Sequence, residues 1–568
     1  MVEWVQRYEK IKTNSSDELA SKILKIRGIP EDLHINFLAP DESFVHDYTM
    51  MRNITRSAKL FVEHINKDSN ILYAGDPDAD GVTSTTIGVL RTKEIIGDEN
   101  VDYIYPQRDM GHGISGMIDE TDEEFSELIT MNIEKIKESD LLIIVDSSSN
   151  DIDGIKKVME LNPNIDIIIL DHHEFNDLET EKQMDKLCLV VNPQHSKDEY
   201  PNKSLSGAGV VYKFCKAIDK IIDEDVSDNY LDLVAVGLVG DMMNVTELEN
   251  RYYITRGLQE VNNIGLIRIL KGAKVNMYKY NSKDIGFSVA PLINASSRMG
   301  EIELAFQLLM IDNDKDAKPL RLKMDKLNKK RQEMQKEIAN KYTGDIDTSK
   351  KIIIIADEES NKGFNGLVAQ SIAQKYQRPC FVVRDYNGMC MGSGRSFGGF
   401  DTREFLGELD WVETSGHAES HGLNFPSDKL EELENYIEEN MPELSSREIK
   451  YYYDVEIGTD NIWADIEDIQ SLNQITGTGF PEVSVKISDV MINERNVIGK
   501  TKETVKFTTS SDLVLIKFKV DEQWNDSIDI FDSVDIIGTP TINDFYNFAT
   551  RENTRTPQII IRDIQKGW

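Results

Sequence analysis

Four short segments of the chain place carboxylate or imidazole groups directly after an apolar run. Their sequences are GDPDADG (75–81), VDSSS (145–149), LDHHE (170–174) and GLVGDMMN (237–244). The groups in them that could bind metal or move protons are Asp76, Asp78, Asp80, Asp146, Asp171, His172, His173 and Asp241. Carboxylate oxygens prefer hard cations such as Mg²⁺ and Mn²⁺, and imidazole nitrogens add affinity for transition metals. Together the four segments predict a site for divalent metal ions.

Single segments also have structural explanations. The triple-aspartate segment alone could be a calcium loop or a solvated acidic turn. An EF-hand loop carries a glutamate six residues after its glycine, whereas Ile87 stands at that position here, so the calcium explanation fails. Asp146 alone could be a helix N-cap. The two adjacent histidines at 172 and 173 are hard to explain structurally.

Mixed carboxylate and imidazole ligands favour two ions of Mn²⁺ or Mg²⁺ over structural zinc. Two such ions can clamp the attacking and leaving oxygens of a phosphoryl transfer, and they lower the pKa of a bound water that becomes the nucleophile. A site of this kind needs neither a Ser-His-Asp nor a Cys-His arrangement.

Continuous apolar runs precede three of the four segments and indicate buried β-strands. They are ILYAG (71–75), LLIIVD (141–146) and IDIIIL (165–170), separated by helical stretches. This alternation is typical of a parallel sheet covered by helices on both faces. Ligands of such sheets bind beyond the carboxyl ends of the strands. We therefore expect the four segments at four successive strand ends along one edge of the sheet.

The sequence pattern changes several times along the chain, which predicts an α/β protein of five regions. They are an N-terminal helical segment (1–55), a parallel-sheet catalytic domain (56–270), a connector with a long helix (271–345), a second α/β lobe (346–445) and a C-terminal β-barrel (446–568). The connector helix is rich in Lys and Arg, Arg331 among them. Its charge is either a solvated helix face or one wall of a groove.

The chain as a whole is strongly acidic. It has 568 residues, with 100 Asp and Glu against 64 Lys and Arg, and a net charge of −36. This charge argues against nonspecific coating of nucleic acid, although bound cations and a local basic groove could still receive a phosphate backbone. No apolar run approaches the ~20 residues of a membrane span, and the N-terminus lacks a signal-peptide core. We expect a cytoplasmic monomer without membrane contact.

The order DxD, Asp, DHH, Asp resembles the signature of the DHH phosphoesterase superfamily. The resemblance implies that the metal ligands are Asp78, Asp80, Asp146, His172 and Asp241. It implies that Asp146 bridges the two ions and that His173 reaches the scissile phosphate. Asp76 and Asp171 would lie at the edge of the site or behind the ligands. Ala74 stands where some relatives carry a histidine, so one ion would have fewer protein ligands.

Within the superfamily, the RecJ branch is the most similar. The similar segments are 105–115, 190–214, 231–241 and 285–309, followed by 363–383, 392–401 and 415–425, which resemble the DHH-associated domain. By this resemblance the substrate-binding residues are Arg108, His112, Arg298, Ser393, Gly394, Arg395 and His417. Arg298 and residues 393–395 would hold a 5′-terminal phosphate. His112 replaces the usual aromatic residue, and Ser415 replaces the first of two glycines.

The C-terminal region resembles the RecJ oligonucleotide-binding (OB) barrel, a fold that binds single strands through basic grooves and stacked aromatic rings. TGTGFPEVSV (476–485) is similar to its first segment, with Phe480 in place of an asparagine. The candidates for base stacking are Trp463, Phe507, Trp524, Phe545, Tyr546 and Phe548. Each of these aromatic residues alone is more often part of a core.

The resemblance implies a 5′-to-3′ exonuclease that hydrolyses single-stranded DNA to mononucleotides with two Mn²⁺ or Mg²⁺ ions and serves DNA repair or recombination. Its partners would be single-stranded DNA and a single-strand-binding protein or helicase. One alternative is a DHH phosphodiesterase for short oligonucleotides or cyclic dinucleotides, and RNA is also open as a substrate. The other is a catalytically silent DNA-binding replication factor, although every expected carboxylate and histidine is present.

Overall fold

A computed structural model of the chain describes residues 2–7, 18–111, 113–273, 275, 279–342, 346–360, 362–398, 400–442, 449–499, 502–520, 527–547 and 552–567. The N-terminal segment consists of strand β1 (Val2–Gln6) and helices α1 (Leu19–Ile26), α2 (His34–Leu38) and α3 (Ile54–Ile65). The strand was not predicted from the sequence. It pairs in parallel with residues 449–453 of the C-terminal region, so its conformation depends on a partner far away in the chain.

The next region is built on a five-stranded parallel sheet. Its strands are β2 (Ile71–Gly75), β3 (Val101–Ile104), β4 (Leu141–Val145), β5 (Asp166–Leu170) and β6 (Leu189–Val191). They are hydrogen-bonded in the order β3-β2-β4-β5-β6. The accompanying helices are α4 (Ala79–Ile96), α5 (Gly113–Met117), α6 (Ser126–Glu138), α7 (Ile152–Leu161), α8 (Leu178–Leu187), α9 (Gly207–Ile222) and α10 (Leu231–Gly240).

Side chains of the central strands alternate between two buried layers. Tyr73 and Ile143 belong to the core formed with helices α3, α4, α9 and α10. Leu72 and Ile144 belong to a second core, formed with helices α5 to α8 on the opposite face. Because both faces are covered, these strands are apolar at every position. The structure thereby confirms the predicted parallel sheet with helices on both faces.

A helical connector follows the sheet. Its elements are α11 (Leu248–Gln259), α12 (Ile264–Ala273), α13 (Ser282–Asp284), a π-helical turn (Ile285–Val289), α14 (Ala290–Arg298), α15 (Glu303–Leu309) and α16 (Asp314–Tyr342). Helix α16, with 29 residues, is the predicted long connecting helix. Across the described ranges, no helix has both the length and the apolar character required to cross a membrane.

The second lobe is a mixed sheet flanked by helices. Its elements are β7 (Ile353–Ala356), α17 (Lys362–Tyr376), β8 (Cys380–Tyr386), β9 (Met389–Arg395), α18 (Thr402–Leu406), β10 (Glu413–His417), β11 (Ser420–Pro426) and α19 (Leu430–Asn440). The strand order is β10-β11-β9-β8-β7, and only β7 and β8 run parallel. The predicted second α/β lobe is confirmed.

The C-terminal region closes into a β-barrel, as predicted. Its elements are β12 (Ile449–Tyr453), β13 (Val455–Glu456), α20 (Ile462–Leu472), β14 (Val485–Ile498), β15 (Thr504–Thr509), β16 (Val514–Phe518), β17 (Ser533–Asn547) and β18 (Glu552–Lys566). Strands β14, β15, β16, β18 and β17 pair in that order, and β17 also pairs with β14.

The structure describes the side chains of two of the six aromatic stacking candidates and excludes one of them. Phe507 is fully buried in the barrel core and is unavailable for stacking, which corrects that prediction. Trp463 on α20 is 40% exposed and stays a candidate. Trp524 and Phe548 lie outside the described residues, as do the side chains of residues 545 and 546.

Buried and partly buried polar contacts attach the barrel to the rest of the molecule. The guanidinium of Arg251, on α11, is buried and donates to the backbone carbonyls of Phe37, Val245 and Ile475. The indole Nε1 of Trp4, on β1, donates to Asp563 of β18 at 2.7 Å. The barrel is therefore anchored to both the N-terminal segment and α11.

Candidate metal centre and phosphate-binding cluster

The carboxyl ends of three parallel strands bring most of the predicted metal ligands to one edge of the sheet. Asp76, Asp78 and Asp80 follow β2, Asp146 follows β4, and residues 171–173 follow β5. Asp241 does not follow a strand, contrary to our expectation of four strand ends. It caps the carboxyl end of helix α10, whose sequence LDLVAVGLVG is apolar because the helix is buried on nearly all sides.

Asp80 is held by the N-terminus of a second helix. Its Oδ2 accepts from the backbone N–H of Gly207 at 2.6 Å, and its Oδ1 accepts from that of Ala208 at 3.0 Å. These N–H groups belong to the first turn of α9, where the helix dipole favours a negative charge. Asp80 is thereby fixed in orientation while remaining beside the other ligands.

Asp146 and His172 carry the two atoms that best define a metal position. Oδ1 of Asp146 and Nε2 of His172 lie 3.0 Å apart, both are buried, and neither has a hydrogen-bond partner in the described part of the chain. Buried polar atoms without partners are rare in folded proteins, and a site for an ion is one explanation. Asp146 also has a left-handed φ of 59°, which is uncommon outside glycine.

Two further carboxylates face the same imidazole nitrogen. Oδ2 of Asp241 lies 3.4 Å and Oδ2 of Asp80 lies 3.8 Å from Nε2 of His172. Asp78 is adjacent, but its Oδ1 caps α4 by accepting from the N–H groups of residues 80 and 81. The structure thus brings together four of the five predicted ligands, Asp80, Asp146, His172 and Asp241. The fifth, Asp78, lies next to them as the N-cap of α4.

The electrostatics of the cluster call for a cation. Burial raises the pKa of Asp146 well above its usual range, and the neighbouring Asp80 and Asp78 raise it further. Burial and the same two aspartates raise the pKa of Asp241 to about 8. Burial lowers the pKa of His172. Several buried carboxylates around a neutral imidazole are costly without positive charge, and a divalent ion supplies that charge.

Asp171 positions the two histidines, and one of its oxygens lies within 4.8 Å of possible ligand atoms on Asp146, His172 and His173. Its Oδ1 accepts from the backbone N–H of His172 and from Nδ1 of His173 at 2.8 Å, and its Oδ2 accepts from the N–H of Ser149. Burial opposes its ionised form, but His173 and these hydrogen bonds hold its pKa well below the usual range. Asp171 in turn raises the pKa of the half-exposed His173 to about 10. Asp76 is buried at the end of β2, close enough to raise the pKa of Asp146.

A cluster of arginines lies beside the metal ligands. Arg298, at the end of α14, donates to the carbonyl of Gly363 at the start of helix α17 in the second lobe. Burial lowers the pKa of Arg298 to about 9, and the nearby charges of Arg108, Arg331 and Arg395 lower it further. The structure therefore gathers the three predicted arginines and adds Arg331, from the long helix α16. The basic composition of α16 was the sequence signal for that residue.

Arg395 closes the cluster from the second lobe. Its Nη1 donates to the carbonyl of Gly394 at 2.8 Å, and its guanidinium lies against Gly366 in the first turns of α17. Ser393 and Gly394 precede it on β9, with the buried ring of His421 packed beneath Gly394. A helix N-terminus beside an arginine is a common anion site. Residue 112 and the side chain of residue 417 lie outside the described residues.

A cleft of about 590 Å³ lies between the two residues that flank Asp241 and the segment ahead of the barrel. Its walls include Met242, Phe287, Arg298 and Arg331, together with residues 476, 477, 481 and 482 ahead of the barrel. Met242 directly follows Asp241, is 71% exposed and has a left-handed φ of 56°, and Phe287 is 81% exposed. These two apolar residues were missed in the sequence, since exposure depends on the packing around them.

Two regions of the chain match known domain families, and the chain is similar to known nucleases. Residues 70–238 match the N-terminal domain of the DHH family, and residues 453–563 match the RecJ OB domain. The single-stranded-DNA-specific exonuclease RecJ of Bacillus subtilis (strain 168) is 27% identical over 95% of this chain and 69% of that protein. The putative SPbeta prophage-derived single-strand DNA-specific exonuclease YorK of the same strain is 27% identical over 97% of this chain and 96% of that protein.

Among solved structures, RecJ from Thermus thermophilus in complex with Mn²⁺ shares the fold, with a TM-score of 0.75 and 21% identity over 97% of this chain and 76% of that one. Residues 70–238 therefore resemble the N-terminal domain of the DHH family, and the relatives matched over most of the chain are RecJ-type exonucleases. The DHH and RecJ OB domains, together with the RecJ relatives, indicate a RecJ-like, metal-dependent nuclease.

Proposed function

We propose that the protein is a 5′-to-3′ exonuclease that hydrolyses single-stranded DNA to mononucleotides with two bound divalent ions. The observation that carries this proposal is the position of the arginine cluster beside the metal ligands. Arg298 lies close enough to Asp78 for the aspartate charge to affect its pKa, and its neighbours include Arg108 and Arg395. An end phosphate bound there would place the first phosphodiester bond at the metal ligands.

Mn²⁺ or Mg²⁺ would be held by the predicted ligand set, which is Asp78, Asp80, Asp146, His172 and Asp241. Asp146 is the best bridging ligand because it is buried among the others and its Oδ1 has no hydrogen-bond partner among the described residues. When bound, such ions lower the pKa of a coordinated water and neutralise charge on the phosphate. His173, which is half exposed and whose Nδ1 lies 2.8 Å from Asp171, would contact the scissile phosphate.

The polarity of the reaction would come from the arginines. Residues 393–395 and Arg298 converge on the N-terminal turns of α17, a site suited to the doubly charged phosphate at a 5′ end. Arg108, in the 3-10 turn after β3, approaches the same cluster from the parallel-sheet domain. His112 and His417 complete the proposed substrate-binding set.

The cleft would carry the rest of the strand to the barrel. Met242 and Phe287 expose apolar groups to it, and unpaired bases can stack on such groups whatever their sequence.

We propose DNA repair or recombination as the role of the protein, with a single-strand-binding protein or a helicase as partner, and a monomer as the working state.

The proposal is tested with a long single-stranded DNA, the matching RNA and a dinucleotide, each incubated with Mn²⁺ or EDTA. We expect Mn²⁺-dependent release of mononucleotides from the DNA strand. Turnover of the dinucleotide alone would instead assign the chain to the small-substrate branch of the family. Absence of turnover, together with failure to bind Mn²⁺ in a calorimetric titration, would indicate a noncatalytic binding protein.

A further inference from the structure

Arg331 is held in place by two amide side chains of its own helix. Its Nε and Nη2 donate to Oδ1 of Asn328 at 3.2 and 3.0 Å, and its Nη1 donates to Oε1 of Gln335 at 3.1 Å. Gln335 in turn donates to the backbone carbonyl of Leu367 on α17 at 3.4 Å. The guanidinium is therefore braced from both sides and fixed relative to the second lobe.

The partners of Arg331 orient its charge without neutralising it. Elsewhere on α16, Arg321 pairs with Asp325 at 3.0 Å and Lys329 pairs with Glu333 at 3.7 Å. No carboxylate forms such a pair with Arg331 in the portion of the chain that the structure describes. An amide oxygen accepts the same hydrogen bonds as a carboxylate but carries no charge. The full positive charge of Arg331 is thus available to a ligand.

The arginine cluster has more positive charge than one terminal phosphate can compensate. Arg108, Arg331 and Arg395 lie near enough to Arg298 for their charges to lower its pKa, and burial lowers the pKa of Arg331 as well as that of Arg298. A terminal phosphate carries about two negative charges at neutral pH, against four guanidinium charges. Arg331 lines the cleft towards the barrel together with Arg298, whereas Arg395 does not. A second phosphate in that cleft would bring a further negative charge to the cluster.

We propose that Arg331 binds an internal phosphate of the DNA strand, on the 3′ side of the scissile bond. This inference rests on the proposed function and adds a positioning residue to it. The contact would hold the strand in the cleft between the metal centre and the barrel, separately from the site for the terminal phosphate.

Three variants test the role of Arg331. Arg331→Ala removes the charge, and Asn328→Asp places a carboxylate of nearly the same shape beside the guanidinium and neutralises it. Lys329→Ala is the control, because it removes an exposed charge from the same helix. We expect the first two variants to lower kcat/KM for release of the first nucleotide by about 10- to 100-fold, as for loss of a charge-assisted hydrogen bond. The control should stay close to the wild type, as exposed pairs contribute little.

The phosphate is located with 5′-phosphorylated strands that carry one neutral methylphosphonate linkage, moved stepwise from the second linkage onwards. We expect the penalty of Arg331→Ala to disappear at one internal position and to persist on a 5′-hydroxyl strand. Wild-type rates for Arg331→Ala, or a penalty that disappears only with the 5′ phosphate, would overturn the inference.

If the wild type itself fails to cleave, it is the proposed exonuclease activity that is wrong. The role of Arg331 is then tested by strand binding, measured by fluorescence anisotropy in EDTA. The inference requires that Arg331→Ala bind the strand more weakly than the wild type and that Lys329→Ala bind it equally well.

Discussion

At the scale of single residues, the proposed metal ligands combine backbone strain with buried polar atoms that lack hydrogen-bond partners. Asp146 adopts a left-handed φ, and its Oδ1 lies 3.0 Å from Nε2 of His172 with no hydrogen bond between them. Both features cost stability in a protein without ions. They are expected where a backbone is shaped to present a ligand, because ion binding offsets the cost when the site is filled.

Asp146→Asn is the most direct test of the ligand set. The substitution keeps the shape of the side chain but removes its charge, so we expect hydrolysis to fall by more than about 100-fold, since even groups that only orient a ligand contribute 10- to 100-fold. Strand binding should persist because the arginines are untouched. Asp153→Asn, at a carboxylate that is 97% exposed, is the matched control. Substantial residual turnover in the Asp146 variant would remove that residue from the ligand set.

Arg395→Gln tests the proposed site for the terminal phosphate. Loss of its charge should reduce the ratio of kcat/KM on 5′-phosphorylated to 5′-hydroxyl strands by about tenfold or more. Activity on the 5′-hydroxyl strand should change much less. A ratio equal to that of the wild type would contradict the role of Arg395 at the 5′ end.

At the scale of secondary-structure elements, helix α9 fits closely against the metal ligands. A Cβ atom built on Gly207, in its first turn, would lie only 2.5 Å from Oδ1 of Asp146. The equivalent atom on Gly237 of α10 would collide with Oδ1 of Asp80. Two helices can therefore approach the ligands only because each has a glycine at the point of contact.

Gly207→Ala should displace Asp146 while leaving most of the fold unchanged. We expect Mn²⁺ affinity to fall by about 10-fold or more, as when a ligand loses its orientation. Gly458→Ala is the control, because a Cβ there meets no atom within 4 Å. The measurement is a calorimetric Mn²⁺ titration of both variants, and equal affinities would show that the close approach at Gly207 is unimportant for the site.

His421, on β11, should make the second lobe sensitive to acid. The side chain is 3% exposed, and burial lowers its pKa to about 4, with Arg395 adding to the effect. Because the folded pKa lies below the usual value of about 6.5, the unfolded chain binds the proton more tightly between those pH values. The contribution of the neutral His421 to stability is thus present above pH ~6.5 and is lost as pH falls towards 4, by about 3 kcal/mol in all.

His421→Gln should remove that part of the pH dependence. Hydrogen–deuterium exchange of peptides covering 389–395 and 420–426 can be compared for the wild type and the variant at each pH. We expect protection in the wild type to fall relative to the variant between pH 6.5 and 4.5. The same relative protection at both pH values would contradict a buried neutral imidazole.

Some secondary-structure elements could be predicted from the sequence and others could not. Strands β2, β4 and β5 were predictable because strands covered on both faces are apolar throughout and end in polar residues. Helix α10 has an equally apolar sequence, and a buried helix and a buried strand cannot be told apart by composition alone. The segment before Asp241 was therefore expected to be a strand. Strand β1 was missed because it exists only through its pairing with β12.

The site was predictable to a similar extent. The aspartates and histidines of the predicted metal centre have few structural roles at these spacings, and the structure places three of the proposed ligands around Nε2 of a fourth, His172. Arg331 could not be separated from the other basic residues of α16, because only the packing against the second lobe shows which one faces the cleft. Phe507 was misassigned because core and stacking aromatics look the same in a sequence.

At the scale of the whole molecule, the charge distribution resolves an apparent conflict. A net charge of −36 is unfavourable for binding DNA, yet four arginines converge beside the metal ligands. Screening limits the effect of distant surface charges to about 8 to 10 Å at physiological salt, whereas a buried local cluster is screened much less. An acidic exterior is therefore compatible with a local site for a strand.

The proposed roles of all these residues depend on one activity, which is the digestion of a single DNA strand from its 5′ end at a metal site. It is tested most directly with a 5′-phosphorylated DNA strand labelled at its 3′ end, supplied as a single strand and as a blunt duplex, with Mn²⁺ or EDTA. We expect the labelled single strand to shorten progressively from its 5′ end with Mn²⁺ only, while the duplex stays intact. Immediate release of the labelled 3′ nucleotide, or equal digestion of the duplex, would contradict this activity.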